Sequence, residues 1–306
     1  MRVYEWGPLT GDKVLFIHGI TTSCVTMTKL ANALVQEKGC RVMLFDLFGR
    51  GFSDNPSDLP HDARLYTTQI LIALSSSPSL SWTGPQAFKL IGYSLGGGIA
   101  VHFAASFPHL VSSLVLLAPA GLIRPESFGV LTRVVFTLDM IPLRLLSWAT
   151  RKRLRKPMRS SGKRGRRNHT TNKSDPVSAS LTEITDPIDG GEAANALEQR
   201  VARQVQWQLT HHAGFVAAFM SCIRHAPLIG QQAAWAKLAG REPGTTAIIL
   251  GAADEIIDPD EYALDALPLV GGRENVLWSL VPGGHDFPMT YARETLEEVY
   301  KAWGWL

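Results

Sequence analysis

The stretch Leu90-Ile91-Gly92-Tyr93-Ser94-Leu95-Gly96 leaves this chain few folds to choose from. Ala87 to Tyr93 ends apolar, as a parallel strand buried on both faces does. Leu95 to Phe107 then carries the small and apolar residues of a helix packed on a sheet. Between them stands a single residue, Ser94, flanked by glycine two positions before and two after. So tight a turn brings strand and helix backbones together, and glycine removes the Cβ atoms that would collide. It predicts a strained backbone at Ser94 and a hydroxyl projecting beyond the sheet edge, at a helix N-terminus. A G-x-S-x-G pentapeptide also arises by chance in loops, so the rest of the chain decides its meaning.

That rest alternates buried strand and helix, the pattern of a doubly wound parallel sheet. Strands are expected at Arg2 to Trp6, Lys13 to His18, Arg41 to Asp46, Ala87 to Tyr93 and Leu114 to Leu117. Two more follow, at Thr246 to Leu250 and Asn275 to Val281. Helices are expected at Val25 to Lys38 (closed by Gly39), Leu65 to Leu74, Leu95 to Phe107 and Pro259 to Leu267. A closing helix runs from Thr290, read as its N-cap, to Trp303. The α/β pattern breaks after Gly121 and resumes at Thr246. Residues 122–235 are therefore read as a helical cap inserted after the strand ending at Leu117, with residues 1–121 and 236–306 forming the two parts of the core.

Charge is uneven in a way that bears on this insertion. Arg151 to Arg167 holds ten of the 30 Lys and Arg, and the remaining 20 face 27 Asp and Glu. The molecule is thus mildly acidic outside one run, which argues against a nucleic-acid surface. The whole of 151–191 reads as an exposed, disordered excursion. Lys163-Arg164-Gly165-Arg166-Arg167 has the form of a nuclear signal, although such runs are commonly just solvated. Before it, Phe128 to Thr150 reads as one or two amphipathic helices roofing a site, with membrane contact as the alternative. Ala193 to Leu209 and His212 to Ile223 complete the cap, the latter offering Phe215 and Phe219 to an apolar pocket.

Serine is a weak nucleophile unless a base lies within hydrogen-bond reach and a third group orients that base. Of nine histidines, only His285 follows the last strand, in Pro282-Gly283-Gly284-His285. Asp254, Glu255 and Asp258 follow the strand at Thr246 to Leu250. His18-Gly19 ends the second strand, and Asp46-Leu47-Phe48-Gly49-Arg50-Gly51-Phe52-Ser53-Asp54 follows the third.

Taken in this order, the motifs resemble the α/β-hydrolase superfamily, in its cap-bearing serine-hydrolase and esterase branch. They are His18-Gly19, Asp46 to Asp54, Gly92 to Gly97, Gly251-Ala252-Ala253-Asp254 and Gly283-Gly284-His285. The resemblance covers residues 13–121 and 246–306. It implies Ser94 as nucleophile, Asp254 as acid and His285 as base. The alternative acid position, in Ala118-Pro119-Ala120-Gly121, holds no acid. It further implies an oxyanion hole from the backbone N–H groups of Ile20 and Leu95, with Thr21 the nearest competitor to Ile20. His18 and Tyr93 stand beside this centre as pocket candidates. Asp46, Arg50 and Asp54 read as residues that stitch their loop together. Cys24 reads as a small buried residue, and the three cysteines show no pairing or metal spacing. The family's sheet usually has more strands before the His-Gly strand. One short candidate precedes it here, so either the sheet has about seven strands or the sequence lacks its true beginning.

The function expected is cleavage of a carboxylic ester or lactone of a hydrophobic small molecule through an acyl-enzyme. A carbon–carbon bond hydrolase or a tailoring enzyme of secondary metabolism with the same triad is the alternative. A non-catalytic ligand-binding protein on this scaffold is a third reading, and an intact triad argues against it. No phosphate loop and no metal-ligand cluster is seen, so no cofactor and no metal are expected. No signal peptide and no run of about 18 apolar residues is visible. The expectation is a cytoplasmic protein without nucleic-acid partner or stable membrane insertion. Its oligomeric state, a homodimer included, stays open.

Overall fold

The computed structural model describes residues 1–85, 87–124 and 196–306. Its strands are β1 (Val3–Trp6), β2 (Lys13–Ile17), β3 (Arg41–Phe45), β4 (Phe88–Tyr93), β5 (Val111–Leu117), β6 (Thr246–Gly251) and β7 (Val276–Val281). They form one seven-stranded sheet in the order β1-β3-β2-β4-β5-β6-β7. Only β1 runs antiparallel, paired with β3, and the other five pairings are parallel. The sheet is that of a doubly wound α/β fold, as the alternating pattern predicts. Val14, Leu15, Phe16 and Ile17 of β2 and Leu114 to Leu117 of β5 are completely buried. Strands covered by helices on both faces need apolar residues at every position rather than every second one.

The helices are α1 (Thr28–Lys38), α2 (Ala63–Ser75), α3 (Leu95–Ser106), α4 (Ala196–His211), α5 (Phe215–His225), α6 (Gln232–Ala236), α7 (Pro259–Ala266), α8 (Phe287–Thr290) and α9 (Ala292–Ala302). Some of their ends follow capping chemistry. Asp62 accepts from Leu65 N at the start of α2. Gly39, at φ 63°, closes α1 and donates to the carbonyls of Leu34 and Val35. None of the described helices is long and apolar enough to cross a membrane.

Three expectations change. The helix expected from Val25 begins as a 3-10 turn at Cys24–Met27, capped by Ser23. β5 starts at Val111, earlier than the apolar run suggests, because the polar Ser112 and Ser113 find partners at Phe88 O and Trp303 Nε1. Thr290 is not the N-cap of the closing helix. It ends α8, its hydroxyl bonds Asp286 O, and α9 starts at Ala292 with Tyr291 at the N-cap position and no side-chain cap. The expected roof at 128–150 and basic excursion at 151–191 lie outside the described residues.

The crowding at the turn after β4 has two sources. A Cβ on Gly92 would stand 2.4 Å from Gly96 O and 2.8 Å from Ala100 Cβ, so strand and helix do collide there. A Cβ on Gly96 would stand 2.2 Å from Ile17 O and 2.6 Å from His18 O, so its conflict is with the neighbouring strand β2. Backbone atoms cannot step aside as a side-chain tip can. Gly96→Ala should therefore cost about 3 kcal/mol or more in denaturant unfolding. Gly39→Ala, with nothing within 4 Å of its Cβ and only a left-handed φ to oppose it, should cost about 1–2 kcal/mol. Equal costs at the two positions would contradict this packing.

Candidate active site

In a doubly wound sheet, functional groups gather in the crevice beyond the C-terminal ends of the strands, where the chain switches direction across the sheet. β2 and β4 are neighbours at that point, with Ile17 opposite Gly92. Ser94 leaves β4 with φ 54° and ψ −120°, the strained conformation the turn predicts. Its N–H donates to Leu117 O at 2.9 Å, and its carbonyl accepts from Gly97 N and Ala120 N, each at 2.9 Å. Its side chain is left half-buried.

His285 comes to Ser94 from the loop after β7. Its Nε2 lies 3.0 Å from Ser94 Oγ, and its Nδ1 lies 2.8 Å from Asp254 Oδ2. A carboxylate only accepts, so Nδ1 carries the proton and Nε2 presents its lone pair to the serine hydroxyl. Asp254 is itself held, because its Oδ1 accepts from Ile256 N at 2.8 Å and Ile257 N at 2.9 Å. Its side chain is fully buried, as is nearly all of His285. Tyr93, at the end of β4, donates from its hydroxyl to His285 O at 3.0 Å, and the two rings lie 5.4 Å apart. It thus anchors the backbone that carries the imidazole.

The loop after β2 closes over the other side. A Cβ on Gly19 would lie 3.5 Å from Ser94 Cβ, which seats the loop directly against the serine. His18 is completely buried. Its Nε2 accepts from Leu47 N at 2.9 Å, so the ring is neutral and its Nδ1–H donates to Gly19 O at 2.8 Å. Burial also pulls its pKa down to about 4. Both ring nitrogens are thus engaged by backbone. Leu95 opens helix α3, where the first N–H groups have no partner within the helix.

The sequence profile of a family described as the alpha/beta hydrolase fold matches residues 12–285. The chain belongs to the α/β-hydrolase family. A serine hydrolase-like protein of Dictyostelium discoideum is 34% identical over 123 residues, 40% of this chain and 32% of that protein. The sn-1-specific diacylglycerol lipase of Mus musculus is 32% identical over 117 residues, 38% of this chain and 36% of that protein. These matches span about a third of each relative's length. A meta-cleavage product hydrolase of known structure superposes with TM-score 0.62 at 17% identity, covering 99% of this chain and 93% of that one, and so shares the fold.

Within this α/β-hydrolase, the rival side chains have other duties. Asp258 caps α7 by accepting from Asp260 N and Glu261 N, while Glu255 is exposed. His102 bonds Gln231 at 2.7 Å, and His212 bonds Ser53 O at 2.9 Å. Asp46 and Arg50 stitch as expected. Asp46 accepts from Cys24 N and Phe52 N, and Arg50 donates to Ile20 O and Phe48 O. Asp54 takes part only through its carbonyl, which accepts from Gly49 N, and its side chain is exposed. Cys24 is buried and its thiol pKa is raised by that burial. Phe215 and Phe219 of α5 belong to the buried core. Among the described residues no group of three or more His, Cys, Asp or Glu could hold a metal.

Gln208 carries a role that sequence reasoning missed. It is fully buried on α4, bonding both Thr21 O and Gly51 N. An amide among Val201, Val205 and Leu209 on a helix's buried side was the available signal.

The neutral His18 has a consequence for stability. Between about pH 4 and the ordinary histidine value of 6.5, the unfolded chain binds a proton there that the folded chain does not. Stability therefore falls as pH drops through this window and levels off below it. His61, pulled down to about 3 by burial and by Arg50, adds in the same direction. Denaturant melts from pH 7 to pH 4 should show a loss of about 3 kcal/mol attributable to His18. His18→Asn should reduce that slope and leave the share that comes from His61, whatever its stability at pH 7. An unchanged slope would remove His18 as its source.

Proposed function

We propose that this chain is a serine hydrolase that cleaves a carboxylic ester or lactone of a hydrophobic small molecule through an acyl-enzyme. The observation that carries the reading is the hydrogen-bonded series Ser94 Oγ, His285 Nε2, His285 Nδ1, Asp254 Oδ2, at 3.0 and 2.8 Å. Ser94 attacks the substrate carbonyl while His285 takes its proton, and Asp254 holds the imidazole in the required tautomer and stabilises its charged form. The N–H groups of Ile20 and Leu95 receive the oxyanion. Collapse of the tetrahedral adduct expels the alcohol, protonated by His285. Water activated by the same imidazole then releases the acid.

Several further features support this reading. The serine is held in a strained turn that only an enforced geometry sustains. The relatives matched by sequence include proteins named as a serine hydrolase-like protein and a diacylglycerol lipase. The apolar α5 suits a hydrophobic acyl or ring substrate, with residues 122–235 as the cap that selects it.

A fluorophosphonate probe should label Ser94, and Ser94→Ala should lose labelling and lower kcat for short aryl esters by about 10⁴-fold or more. His285→Ala should lose a similar factor. A fully active Ser94→Ala enzyme would falsify the mechanism. A panel of aryl esters, lactones and 1,3-dicarbonyl compounds assigns the bond cleaved. Turnover of the 1,3-dicarbonyls alone would replace ester cleavage by carbon–carbon cleavage with the triad retained.

A further inference from the structure

Three consecutive carbonyls of the loop after β2 are each held by a different side chain. Gly19 O accepts from His18 Nδ1 at 2.8 Å, Ile20 O from Arg50 Nε at 2.9 Å, and Thr21 O from Gln208 Nε2 at 3.2 Å. A trans peptide is planar, with its C=O and N–H pointing in opposite directions. Holding the carbonyl of one residue therefore aims the N–H of the next. The three bonds orient the N–H groups of Ile20, Thr21 and Thr22, the segment that includes the proposed oxyanion donor.

His18 and Arg50 belong to the loops after β2 and β3 of the core. Gln208 does not, since it reaches the loop from α4, 187 residues along the chain. Its other end accepts from Gly51 N, so the one amide bridges the loops after β2 and β3. One helical turn earlier, on the same side of α4, Gln204 Oε1 accepts from Ser23 Oγ. A fully buried amide is costly unless donor and acceptor are both satisfied, and here both are. Core packing alone would be served better by leucine.

We propose that Gln208 is a positioning residue of the oxyanion hole. With Arg50 it fixes both peptide planes flanking Thr21, which steadies the preceding plane, where His18 holds Gly19 O and so sets the direction of the Ile20 N–H. The hole is complete only while α4 is seated on the loop, which makes a helix of the insertion part of the transition-state machinery without touching substrate. This rests on the serine-hydrolase reading.

Gln208→Glu tests it. The variant keeps an acceptor for Gly51 N–H and replaces the donor with a carboxylate oxygen facing Thr21 O. For a turned-over aryl ester, kcat should fall about 10- to 100-fold with KM within about twofold, because the lost orientation matters only when the oxyanion forms. Affinity for a trifluoromethyl ketone, which forms a tetrahedral adduct on Ser94, should fall by the same factor as kcat/KM. Gln208→Met, which packs without a charge, gives the same readout should Gln208→Glu fail to accumulate. A folded variant with unchanged kcat, or with kcat lowered while ketone affinity holds, overturns the proposal. Activity in Ser94→Ala would overturn the serine-hydrolase reading itself. An inactive Ser94→Ala beside a fully active Gln208→Glu overturns only the role of Gln208.

Discussion

Everything at this site depends on one backbone conformation. A serine at φ 54° is strained by about 1–3 kcal/mol and persists only where the surrounding structure over-determines it. Here the chain is fastened on both sides of the strain. Ser94 N–H is bound to the end of β5, and its carbonyl accepts from Gly97 and Ala120. The absence of Cβ atoms at Gly92 and Gly96 lets β4, α3 and β2 close around it. Relaxing the residue would break these bonds and drive backbone into backbone. The hydroxyl is thus presented beyond the sheet by the core itself, not by a loop free to move.

Around that point the polar groups form directed chains in which each donor has one acceptor. His285 donates from Nδ1 because Asp254 can only accept, and Asp254 is aimed by two backbone N–H groups. His18 donates from Nδ1 because Leu47 N–H already occupies its Nε2. In both rings the tautomer is set by a neighbour rather than by the imidazole. The difference in role follows from what the other nitrogen meets: a serine hydroxyl for His285, a backbone amide for His18.

A second polar network lies beneath the loop after β3. Arg50 is completely buried, yet its guanidinium meets the carbonyls of Ile20 and Phe48, the Tyr66 hydroxyl at 3.3 Å and Cys222 Sγ at 3.2 Å. The Tyr66 hydroxyl lies 2.7 Å from His61 Nδ1, and His61 Nε2 lies 2.7 Å from Asn55 Oδ1. Burial raises the Tyr66 pKa, which keeps its proton available as a donor. Burying a guanidinium is expensive unless its N–H groups are satisfied, so the network specifies one arrangement of α2, α5 and the two loops. Removing one member would leave a buried charge or donor unpaired.

Local chemistry makes much of this legible in the amino-acid sequence. The strand–turn–helix at Ser94 and the glycine closing α1 follow from short-range rules that a sequence carries openly, while the order of serine, acid and histidine is what the family resemblance implies. The choice of Asp254 over Asp258 is what the family resemblance implies, and it agrees with the capping duty Asp258 performs. The start of α9 escapes such rules because Thr290 is a good N-cap residue by type, while its hydroxyl is used at Asp286 O, one helix earlier. Sequence alone therefore determined the fold class and which residues had the chemistry to form a site. Only the tertiary structure decided that Arg50 and Gln208 hold the carbonyls of the loop beside Ser94. Those bonds join residues 30 and 187 positions apart, and no local propensity records which distant amide a carbonyl will meet.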